Sequence, residues 1–250
     1  MPFFFLCSHI SKRKLAEYNK RGKRGIKMYT IRDLFDLSHT QAKNYLLQYI
    51  YPWEALQGIK EYILRLGKAL PRTEYTEIYP CVWAHHSASI SPSALIASPC
   101  IIGEGTEIRQ GAFIRGSVLI GKNCVVGNST ELKNVILFDN VQVPHYNYVG
   151  DSILGYKAHM GAGAITSNVK GDKTLVIIKN GATQIPTGIK KVGAFLGDSV
   201  EVGCNSVLNP GTVIGRNTQI YPLSLVRGVV PADSIFKSKN DIVKKEKRDG

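Results

Sequence analysis

Residues 90–136 read ISPSALIASPCIIGEGTEIRQGAFIRGSVLIGKNCVVGNSTELKNVI, and a large aliphatic residue recurs at every sixth position. The aliphatic positions are Ile90, Ile96, Ile102, Ile108, Ile114, Ile120, Val126 and Leu132. A helical face recurs about every 3.6 residues and a strand face about every two, so neither alone produces this period. A period of about six is typical of β-solenoid repeats, in which one large aliphatic residue per repeat points into a narrow coil.

A second phased run returns later in the chain. Its aliphatic residues are again six apart, at Leu196, Val202, Leu208, Ile214, Ile220 and Val226. Four positions after each aliphatic residue, in both runs, stands a residue that is mostly small or compact, such as Ala94, Cys100, Thr212 and Thr218. The pattern resembles the hexapeptide-repeat, left-handed parallel β-helix family, in which three sides form one triangular coil. This resemblance implies a mainly β fold: a left-handed parallel β-helix with an N-terminal helical cap and one long inserted loop.

Composition and period divide the chain into four parts. We expect residues 1–27 to form a basic, disordered arm and residues 28–70 to form a helical cap. Residues 71–236 form the predicted β-helix, which includes the loop at 169–192, and residues 237–250 form a basic tail. Met28 is a second candidate for the first residue of the protein.

Two helices are predicted before the repeats. Thr30 can cap a helix that extends through Asp36 or beyond. A second helix begins at Pro52, which is a favourable first helical residue, and runs to about Leu66, just before Gly67. Its apolar residues recur at helical spacing and form one face. Because the open end of a solenoid leaves strands unpaired, we expect the two helices to cap that end.

The formal net charge of +13 is concentrated at the two ends of the chain. Residues 1–27 contain eight Lys and Arg against one Glu, and residues 244–248 add three net positive charges. Aromatic residues that could stack on bases are not interleaved with these charges, which argues against a nucleic-acid-binding protein. The smaller positive excess inside the repeats suits an anionic substrate or cofactor.

The cysteines and the hydropathy pattern indicate the cellular compartment. The five cysteines are odd in number, widely spaced and form no C-x-x-C motif, so we expect neither disulfides nor a zinc framework. No stretch approaches the roughly 18 apolar residues that a membrane-spanning helix requires. We therefore expect a cytoplasmic protein without a membrane partner.

The repeat loses its phase in the middle of the chain. After Leu132 a new phase appears at Leu137 and Val143, and another at Leu154 and Met160. Such slips indicate shortened or bulged corners that redirect side chains, so functional residues are expected between positions 133 and 168. Residues 169–192 abandon the repeat, which favours a functional loop. We expect its apolar run at 175–178 to form a small hairpin beside the solenoid.

Two blocks near the phase slips point to a family. Residues 145–151 read HYNYVGD, and residues 161–168 read GAGAITSN. They resemble the acetyltransferase domain of bifunctional N-acetylglucosamine-1-phosphate uridyltransferase/glucosamine-1-phosphate acetyltransferase, especially its archaeal-type sugar-1-phosphate branch. The likeness covers residues 95–230, and its most specific part is 127–168.

The resemblance implies roles for individual residues. His145 takes the place of the catalytic base. The residues that match substrate-binding positions are Arg115, Lys133, Tyr148, His159, Asn168 and Lys173. The positions implied to bind the cofactor are Ala162, Cys204 and Pro222, and Arg227 is a candidate because its charge suits the phosphates of acetyl-CoA. Lys190 and Lys191 are further candidates for cations that bind the phosphates of acetyl-CoA.

The residue types suit transfer of an acetyl group to an amine. An ammonium must lose a proton before its nitrogen attacks a thioester, and an imidazole titrates near the working pH. Arg115 offers a forked set of donors to a phosphate, while Lys133 acts as a point charge. Backbone N–H groups at residues 161–163 could bind the oxyanion that forms on the thioester carbonyl.

The resemblance further implies acetyl-CoA as the co-substrate, an amino-sugar 1-phosphate as the acceptor and a homotrimer as the assembly. Glucosamine 1-phosphate is the favoured acceptor, in the synthesis of UDP-N-acetylhexosamine. The glycine-rich segment that opens the uridyltransferase domain is missing from this sequence, so a separate uridylyltransferase is expected downstream. Two positions depart from the family: His159 replaces a sugar-contacting asparagine, and Cys204 replaces a serine that contacts acetyl-CoA.

Three alternatives remain open at this point. An acyltransferase with a different sugar acceptor fits the same repeats. A non-catalytic scaffold or sugar-nucleotide-binding protein would account for the departures at His159 and Cys204. A γ-class carbonic anhydrase shares the solenoid but needs two zinc-binding histidines five residues apart, a spacing that the six histidines here do not show.

Overall fold

A computed structural model describes residues 28–246. The predicted basic arm at 1–27 and the last four residues of the predicted basic tail lie outside the described residues. Three short α-helices and two 3₁₀ segments come first along the described chain. They are α1 (Ile31–Leu34), a 3₁₀ turn (Leu37–His39), α2 (Lys43–Leu46), a 3₁₀ segment (Pro52–Gly58) and α3 (Ile59–Ala69).

Short β-strands make up nearly all of the described chain beyond α3. In chain order they are β1 (Tyr75–Tyr79), β2 (Val82–His85), β3 (Ser89–Ile90), β4 (Leu95–Ile96), β5 (Cys100–Ile102), β6 (Glu107–Ile108), β7 (Phe113–Ile114), β8 (Val118–Ile120), β9 (Val125–Asn128), β10 (Glu131–Leu137), β11 (Gln142–His145), β12 (Tyr148–Leu154), β13 (His159–Met160), β14 (Ile165–Thr166), β15 (Ile177–Asn180), β16 (Thr183–Pro186), β17 (Ala194–Leu196), β18 (Glu201–Val202), β19 (Val207–Leu208), β20 (Thr212–Ile214), β21 (Gln219–Ile220), β22 (Leu225–Val226), β23 (Val229–Val230), β24 (Ser234–Ser238) and β25 (Asp241–Lys244).

Except for β1, β15, β16 and β25, which pair antiparallel, these strands form a left-handed parallel β-helix of about nine turns, and this confirms the predicted mainly β solenoid. Each turn has three sides, and each side is a stack of parallel strands. The first side contains β2, β5, β8, the second halves of β10 and β12, β17, β20 and β23. The second side contains β3, β6, β9, β11, β13, β18, β21 and β24. The third side contains β4, β7, the first halves of β10 and β12, β14, β19 and β22.

The period of six corresponds to one inward-pointing aliphatic residue on each side. Ile102, Ile108 and Ile114 lie on the first, second and third sides, and none is more than 2% exposed. One turn later Ile120 pairs with Ile102, so like side chains stack along the axis of the solenoid. This stacking encloses an apolar core without any need for alternating strands on a broad sheet.

The phase slips arise at one corner, between the third and first sides. In the earlier turns residues 18 apart pair, as Val118 does with Cys100, whereas in the next two turns residues 17 apart pair, as Val135 does with Val118 and Ser152 does with Val135. The shorter corner lets β10 and β12 run continuously around it. Asn134 (φ 55°) and Asp151 (φ 48°) occupy the left-handed backbone conformation there, one that Asn and Asp tolerate better than most residues.

The inserted segment leaves the solenoid at this same corner, between β14 and β17. Its β15 and β16 pair antiparallel, with Ile178 opposite Ile185, so the predicted small hairpin is present. Val176 and Ile178 are buried, while Leu175 and Ile177 are 47% and 39% exposed. The buried pair attaches the hairpin to the solenoid, because a Cβ placed on Gly211 would lie 2.8 Å from both of their side chains.

The helical segment lies along the first side of the solenoid, so the expectation that it caps the open end is wrong. It begins near the last turn, where the Tyr29 hydroxyl accepts the N–H of Ala232 at 2.7 Å, and ends near the first turn, where Gly67 meets Trp83. The physical reason is a row of outward-pointing apolar residues that runs the length of this side and must be buried. The row, which pairs in register, is Trp83, Ile101, Leu119, Ile136, Ile153, Phe195 and Val213, each no more than 6% exposed.

Several boundaries also differ from those predicted. Helix α1 ends at Leu34 rather than at Asp36, although Thr30 does cap it through a reciprocal pair of hydrogen bonds with Asp33. Helix α3 continues past Gly67 to Ala69. Glycine is needed inside that helix because a Cβ there would lie 2.2 Å from the Trp83 ring. The predicted β-helix starts at residue 71, but its first strand, β1, pairs antiparallel with β2 and so lies outside the parallel stacks.

Candidate functional site

The corner between the third and first sides gathers most of the residues predicted to bind a sugar phosphate. Arg115 and Lys133 lie one turn apart at this corner, since the N–H of Arg115 donates to the carbonyl of Leu132 at 2.8 Å. Lys133 pairs in turn with Gly150 on the next strand. Asn168 lies one further turn along, just before the inserted segment. We call this set, together with Tyr148 and Asp151, the third–first corner cluster.

A buried carboxylate holds the cluster together. Asp151 is 3% exposed and accepts hydrogen bonds from the Lys133 Nζ at 3.0 and 3.2 Å. Its two oxygens also accept from the Asn134 Nδ2 at 2.9 Å and from the Asn168 Nδ2 at 2.6 Å. A buried charge is stabilised only by such paired and hydrogen-bonded surroundings. The Lys133 side chain remains 26% exposed and so is accessible to a ligand.

Tyr148 lies beside this carboxylate, with its hydroxyl 3.1 Å from the Asn168 Nδ2. Burial raises the pKa of Tyr148, and the nearby Asp151 and Glu131 carboxylates raise it further. The hydroxyl therefore keeps its proton at neutral pH. Since it already accepts from Asn168, its own O–H is available as a donor.

Arg115 is held at the edge of the cluster by an ion pair. Its Nη1 donates to the Glu131 Oε1 at 2.7 Å, and the side chains are 45% and 32% exposed. This hydrogen bond and the charge of Glu131 raise the pKa of Arg115. At this exposure a phosphate could displace the carboxylate at little cost, because exposed ion pairs contribute little.

The residue predicted to be the catalytic base lies at a different corner, between the second and third sides. His145 is exposed at the end of β11, and its carbonyl accepts the N–H of Gly163 at 3.0 Å. The buried Asn147 fixes this turn by accepting the His145 N–H at 3.1 Å and donating to the carbonyls of Gly161 and Ala164. His145 also borders a cleft of about 480 Å³ that extends toward Arg109 in the earlier turns.

Three of the predicted cofactor-binding residues follow His145 along the same second–third corner. Ala162, Cys204 and Pro222 lie on successive turns there: the carbonyl of Ala162 accepts the N–H of Asn205 at 2.8 Å, and a Cβ on Gly203 would lie 2.4 Å from the Pro222 nitrogen. An extended ligand that lies along this corner would therefore contact all three. Cys204 is exposed.

The predicted oxyanion donors at residues 161–163 are only partly available. The N–H of Gly161 donates to the Val202 carbonyl at 2.7 Å, and the N–H of Gly163 donates to the His145 carbonyl. Among the described residues, the Ala162 N–H has no acceptor. The N–H of Ala162 is therefore the group at this turn that can still serve as the predicted oxyanion donor.

Of the remaining predicted site residues, Lys191 lies near the third–first corner cluster, because it pairs with Val169 next to Asn168, and the others belong to other parts of the fold. His159 is on the second side, where its Nδ1 lies 2.8 Å from the Glu201 Oε2. Lys173 is exposed in a left-handed turn of the inserted segment, with φ 55°. Lys190 and Lys191 are exposed where that segment returns. Arg227 lines a cleft of about 490 Å³ between the hairpin and the solenoid, together with Lys179.

Reasoning from the sequence missed Asp151 as a functional residue. The signal that could have found it is the phase slip, because the shortened corner carries Lys133 and Asn134 in one turn and Gly150 and Asp151 in the next. Gly150 is required there: a Cβ would lie 2.5 Å from the Tyr148 hydroxyl and 3.0 Å from the Asn168 Nδ2.

Two further observations bear on the alternatives. Within residues 28–246, no group of three or more His, Cys, Asp or Glu side chains is arranged to hold a metal ion. In the same range no helix combines the length and the apolar character that crossing a membrane would take.

Comparison with known proteins supports the resemblance seen in the sequence. Residues 96–184 match the family described as the GMPPB C-terminal domain. The bifunctional protein GlmU of Methanococcus aeolicus is 35% identical over 177 residues, which cover 64% of this chain and 43% of that protein. The bifunctional sugar-1-phosphate nucleotidylyltransferase/acetyltransferase of Sulfurisphaera tokodaii is 32% identical over 174 residues, 62% of this chain and 43% of that protein.

The chain is a hexapeptide-repeat protein that resembles the bifunctional GlmU proteins. It spans less than half of the length of these relatives. Among solved structures, AntD, an N-acyltransferase from Bacillus cereus in complex with dTDP and 3-hydroxybutyryl-CoA, matches with a TM-score of 0.36 and 17% identity over 64% of this chain and 79% of AntD.

Proposed function

We propose that this protein is an N-acetyltransferase that moves the acetyl group of acetyl-CoA to the amine of an amino-sugar 1-phosphate, with glucosamine 1-phosphate as the favoured acceptor. The observation that carries the proposal is the third–first corner cluster, in which Lys133 and Asn168 donate to the buried Asp151 and Asn168 also donates to the Tyr148 hydroxyl. The name of the Sulfurisphaera tokodaii relative, a sugar-1-phosphate nucleotidylyltransferase/acetyltransferase, supports the reaction class.

The cluster supplies what a sugar phosphate needs. Lys133 and Arg115 provide two cations, one compact and one forked, for the phosphate oxygens. Tyr148 and Asn168 provide uncharged polar groups for the hydroxyls of the ring. The exposed fraction of Lys133 keeps the ammonium accessible, while its bonds to Asp151 hold it in place.

The second–third corner supplies the site for acetyl-CoA and the base. The cofactor lies along Ala162, Cys204 and Pro222, with the thioester near Ala162, whose N–H binds the oxyanion. His145 takes the proton from the attacking amine. The nitrogen forms a bond to the thioester carbon, the C–S bond breaks, and the CoA thiolate leaves with the proton that His145 removed from the amine. The cations implied for the CoA phosphates are Arg227, Lys190 and Lys191.

A homotrimer would bring the two corners together. In one chain, Asp151 follows His145 by six positions along the third side, which corresponds to roughly 15–20 Å of backbone. Outward apolar residues of this side stay exposed, including Leu95 at 63% and Leu225 at 66%, and such a row favours burial against another copy. A cyclic contact joins unlike surfaces of neighbouring copies, so one chain's second–third corner meets its neighbour's third–first corner.

The proposed setting follows from the reaction. The product, an N-acetylated sugar 1-phosphate, would go to a separate uridylyltransferase for UDP-N-acetylhexosamine synthesis. The expected reduced state of the cysteines suits a cytoplasmic enzyme. His159 favours an alternative, namely a different sugar acceptor, because this histidine, which pairs with Glu201, stands where an asparagine is usual in the family.

The deciding experiment measures release of CoA with a thiol reagent. Acetyl-CoA is combined with glucosamine 1-phosphate, or with galactosamine 1-phosphate in a parallel reaction, for the wild type and for His145→Ala. We expect turnover with glucosamine 1-phosphate and a loss of about 10²–10⁴-fold in the variant. Turnover that survives the substitution would remove His145 as the base. A well-folded wild type that releases no CoA with either sugar would favour a different acceptor or a non-catalytic scaffold.

A further inference from the structure

We infer that Asp151 is a positioning residue that fixes the polarity of the acceptor site, so that the site presents one cation, one hydrogen-bond acceptor and one hydrogen-bond donor to the sugar phosphate. The inference rests on the proposed function for the identity of the ligand. Two observations support it. They are the hydrogen bonds that Asp151 accepts and the hydrogen-bond donors and acceptors that remain available to a ligand on the neighbouring side chains.

An ionised carboxylate can only accept hydrogen bonds. Asp151 is 3% exposed, and each of its oxygens lies against a nitrogen: Oδ1 against Lys133 and Asn134, and Oδ2 against Asn168. It therefore selects the orientation of each neighbouring amide. If the Asn168 amide were reversed, its oxygen would face the carboxylate, and two acceptors would meet without a proton between them.

The orientation of Asn168 determines what it can offer to a ligand. Both N–H groups of its Nδ2 are used, one on the Asp151 Oδ2 at 2.6 Å and one on the Tyr148 hydroxyl at 3.1 Å. The group left for a ligand is the amide oxygen, which accepts. Asn168 thus selects a sugar phosphate that presents an O–H or N–H donor to its amide oxygen.

The same chain of bonds sets the role of Tyr148. Because its hydroxyl oxygen already accepts from Asn168, the hydroxyl proton is free to point to a ligand oxygen. Lys133 has three N–H donors, and Asp151 takes two of them at 3.0 and 3.2 Å. One donor and the positive charge remain for the phosphate.

Asn134 ties this arrangement to the rest of the molecule. Its Nδ2 lies 2.9 Å from the Asp151 Oδ1 and 3.2 Å from the carbonyl of Leu56 in the 3₁₀ segment of the helical region. Asn134 thereby links the Asp151 carboxylate to the helical segment, while Lys133 and Asn168 bind it from neighbouring turns of the solenoid. This support is what a pre-organised binding site needs, since donors that are already placed lose less entropy when the ligand binds.

The test compares Asp151→Asn with Asp198→Asn. Asp198 is also a buried aspartate, 7% exposed, but it accepts the N–H groups of Asp36 and Tyr156 and lies outside the proposed site. An asparagine at 151 no longer dictates the orientation of Asn168. We expect Asp151→Asn to raise the KM for glucosamine 1-phosphate about tenfold or more while the KM for acetyl-CoA stays unchanged. Asp198→Asn should lower the melting temperature without moving either KM.

Equilibrium binding of glucosamine 1-phosphate, followed by calorimetry without acetyl-CoA, separates this inference from the proposed function. A wild type that binds the sugar phosphate but releases no CoA would defeat the proposed reaction, and a tenfold weaker affinity in Asp151→Asn would still support the inference. Equal affinity in the wild type and a folded Asp151→Asn would overturn the inference, as would a wild type that binds no sugar phosphate.

A second variant covers the case in which Asp151→Asn does not fold. Asn168→Ala removes the proposed acceptor oxygen but leaves the buried carboxylate with Lys133 and Asn134. We expect this variant to bind glucosamine 1-phosphate about tenfold more weakly and to bind acetyl-CoA as the wild type does. Unchanged affinity for the sugar phosphate in this variant would contradict the role given to the amide oxygen.

Discussion

The side chain of Tyr148 lies over Gly150, so closely that a Cβ on that glycine would be 2.5 Å from the tyrosine hydroxyl. The Asn168 Nδ2 would be 3.0 Å from the same Cβ. Gly150 therefore leaves space for two side chains of the third–first corner cluster. Its φ is not in the left-handed region, so space rather than backbone conformation requires a glycine here.

Gly150→Ala should impair the acceptor site more than the fold. The added methyl group meets the ends of two side chains, which can move, so we expect a loss of about 1 kcal/mol in the free energy of unfolding. The displaced Tyr148 and Asn168 should raise the KM for the sugar phosphate by about tenfold. Steady-state kinetics and urea denaturation measure the two effects. Gly171→Ala is the matched control, since nothing lies within 4 Å of the Cβ it would add; an equal change in both variants would contradict the assignment.

The period of six was enough to predict the coil, because each turn needs one inward aliphatic residue on every side, and Ile102, Ile108 and Ile114 fill those places. The position of the helices was not predictable from it. An apolar residue that points outward, such as Leu119, lies inside an apolar run and is hidden from a search for inward positions. The row it belongs to becomes visible only when residues one turn apart are aligned.

The candidate site, like the fold, was predicted only in part from the sequence. The family resemblance pointed to Lys133, Tyr148 and Asn168, and these residues do lie together. The role of Asp151 depends on its burial and on partners from the turns before and after its own, which no local pattern contains. The separation of His145 from this cluster also depends on the arrangement of the sides. The two corners are close in sequence, but they lie at opposite ends of the third side.

The packing of the helical segment against the first side predicts a large stability effect at Trp53. Its ring lies 6.0 Å from the ring of Phe195, and the residue is 2% exposed. Trp53→Ala should lower the free energy of unfolding by about 3–5 kcal/mol, since a large buried side chain is removed. Urea denaturation followed by circular dichroism measures this. Tyr221→Ala, at a position that is 45% exposed, should change stability by less than about 0.5 kcal/mol; equal losses would mean that the helices do not pack as described.

The surroundings of Tyr148 predict a change in its titration. Burial raises its pKa first, and the carboxylates of Asp151 and Glu131 raise it further because a tyrosinate would be repelled by them. Asp151→Asn removes one negative charge, so the pKa of Tyr148 should fall toward its ordinary value while burial keeps it above that value. Carbon NMR of ring-labelled tyrosines measures the titration, and Tyr148→Phe assigns the signal. A pKa of Tyr148 that rises in Asp151→Asn, or one that stays the same, would contradict the electrostatic effect of Asp151 on Tyr148.

A site shared between subunits predicts that two inactive variants restore activity to each other. His145→Ala lacks the base at the second–third corner, and Lys133→Ala lacks the cation at the third–first corner. The two variants are unfolded together and refolded at equal concentration. A site is then intact only if its second–third corner comes from Lys133→Ala and its third–first corner comes from His145→Ala. Random assembly into a cyclic trimer makes roughly a quarter of the sites intact, so CoA release should recover to about that fraction of the wild-type rate.

The control for this experiment is each variant refolded alone, which should remain inactive. If both corners of a site came from the same chain, mixing would give no recovery, because every chain carries one defect. The mixture therefore distinguishes a shared site from a complete site within one chain even when both assemblies are trimers. Recovery to about a quarter would place the base of one chain against the cation of its neighbour, and no recovery between two well-folded variants would place them on the same chain.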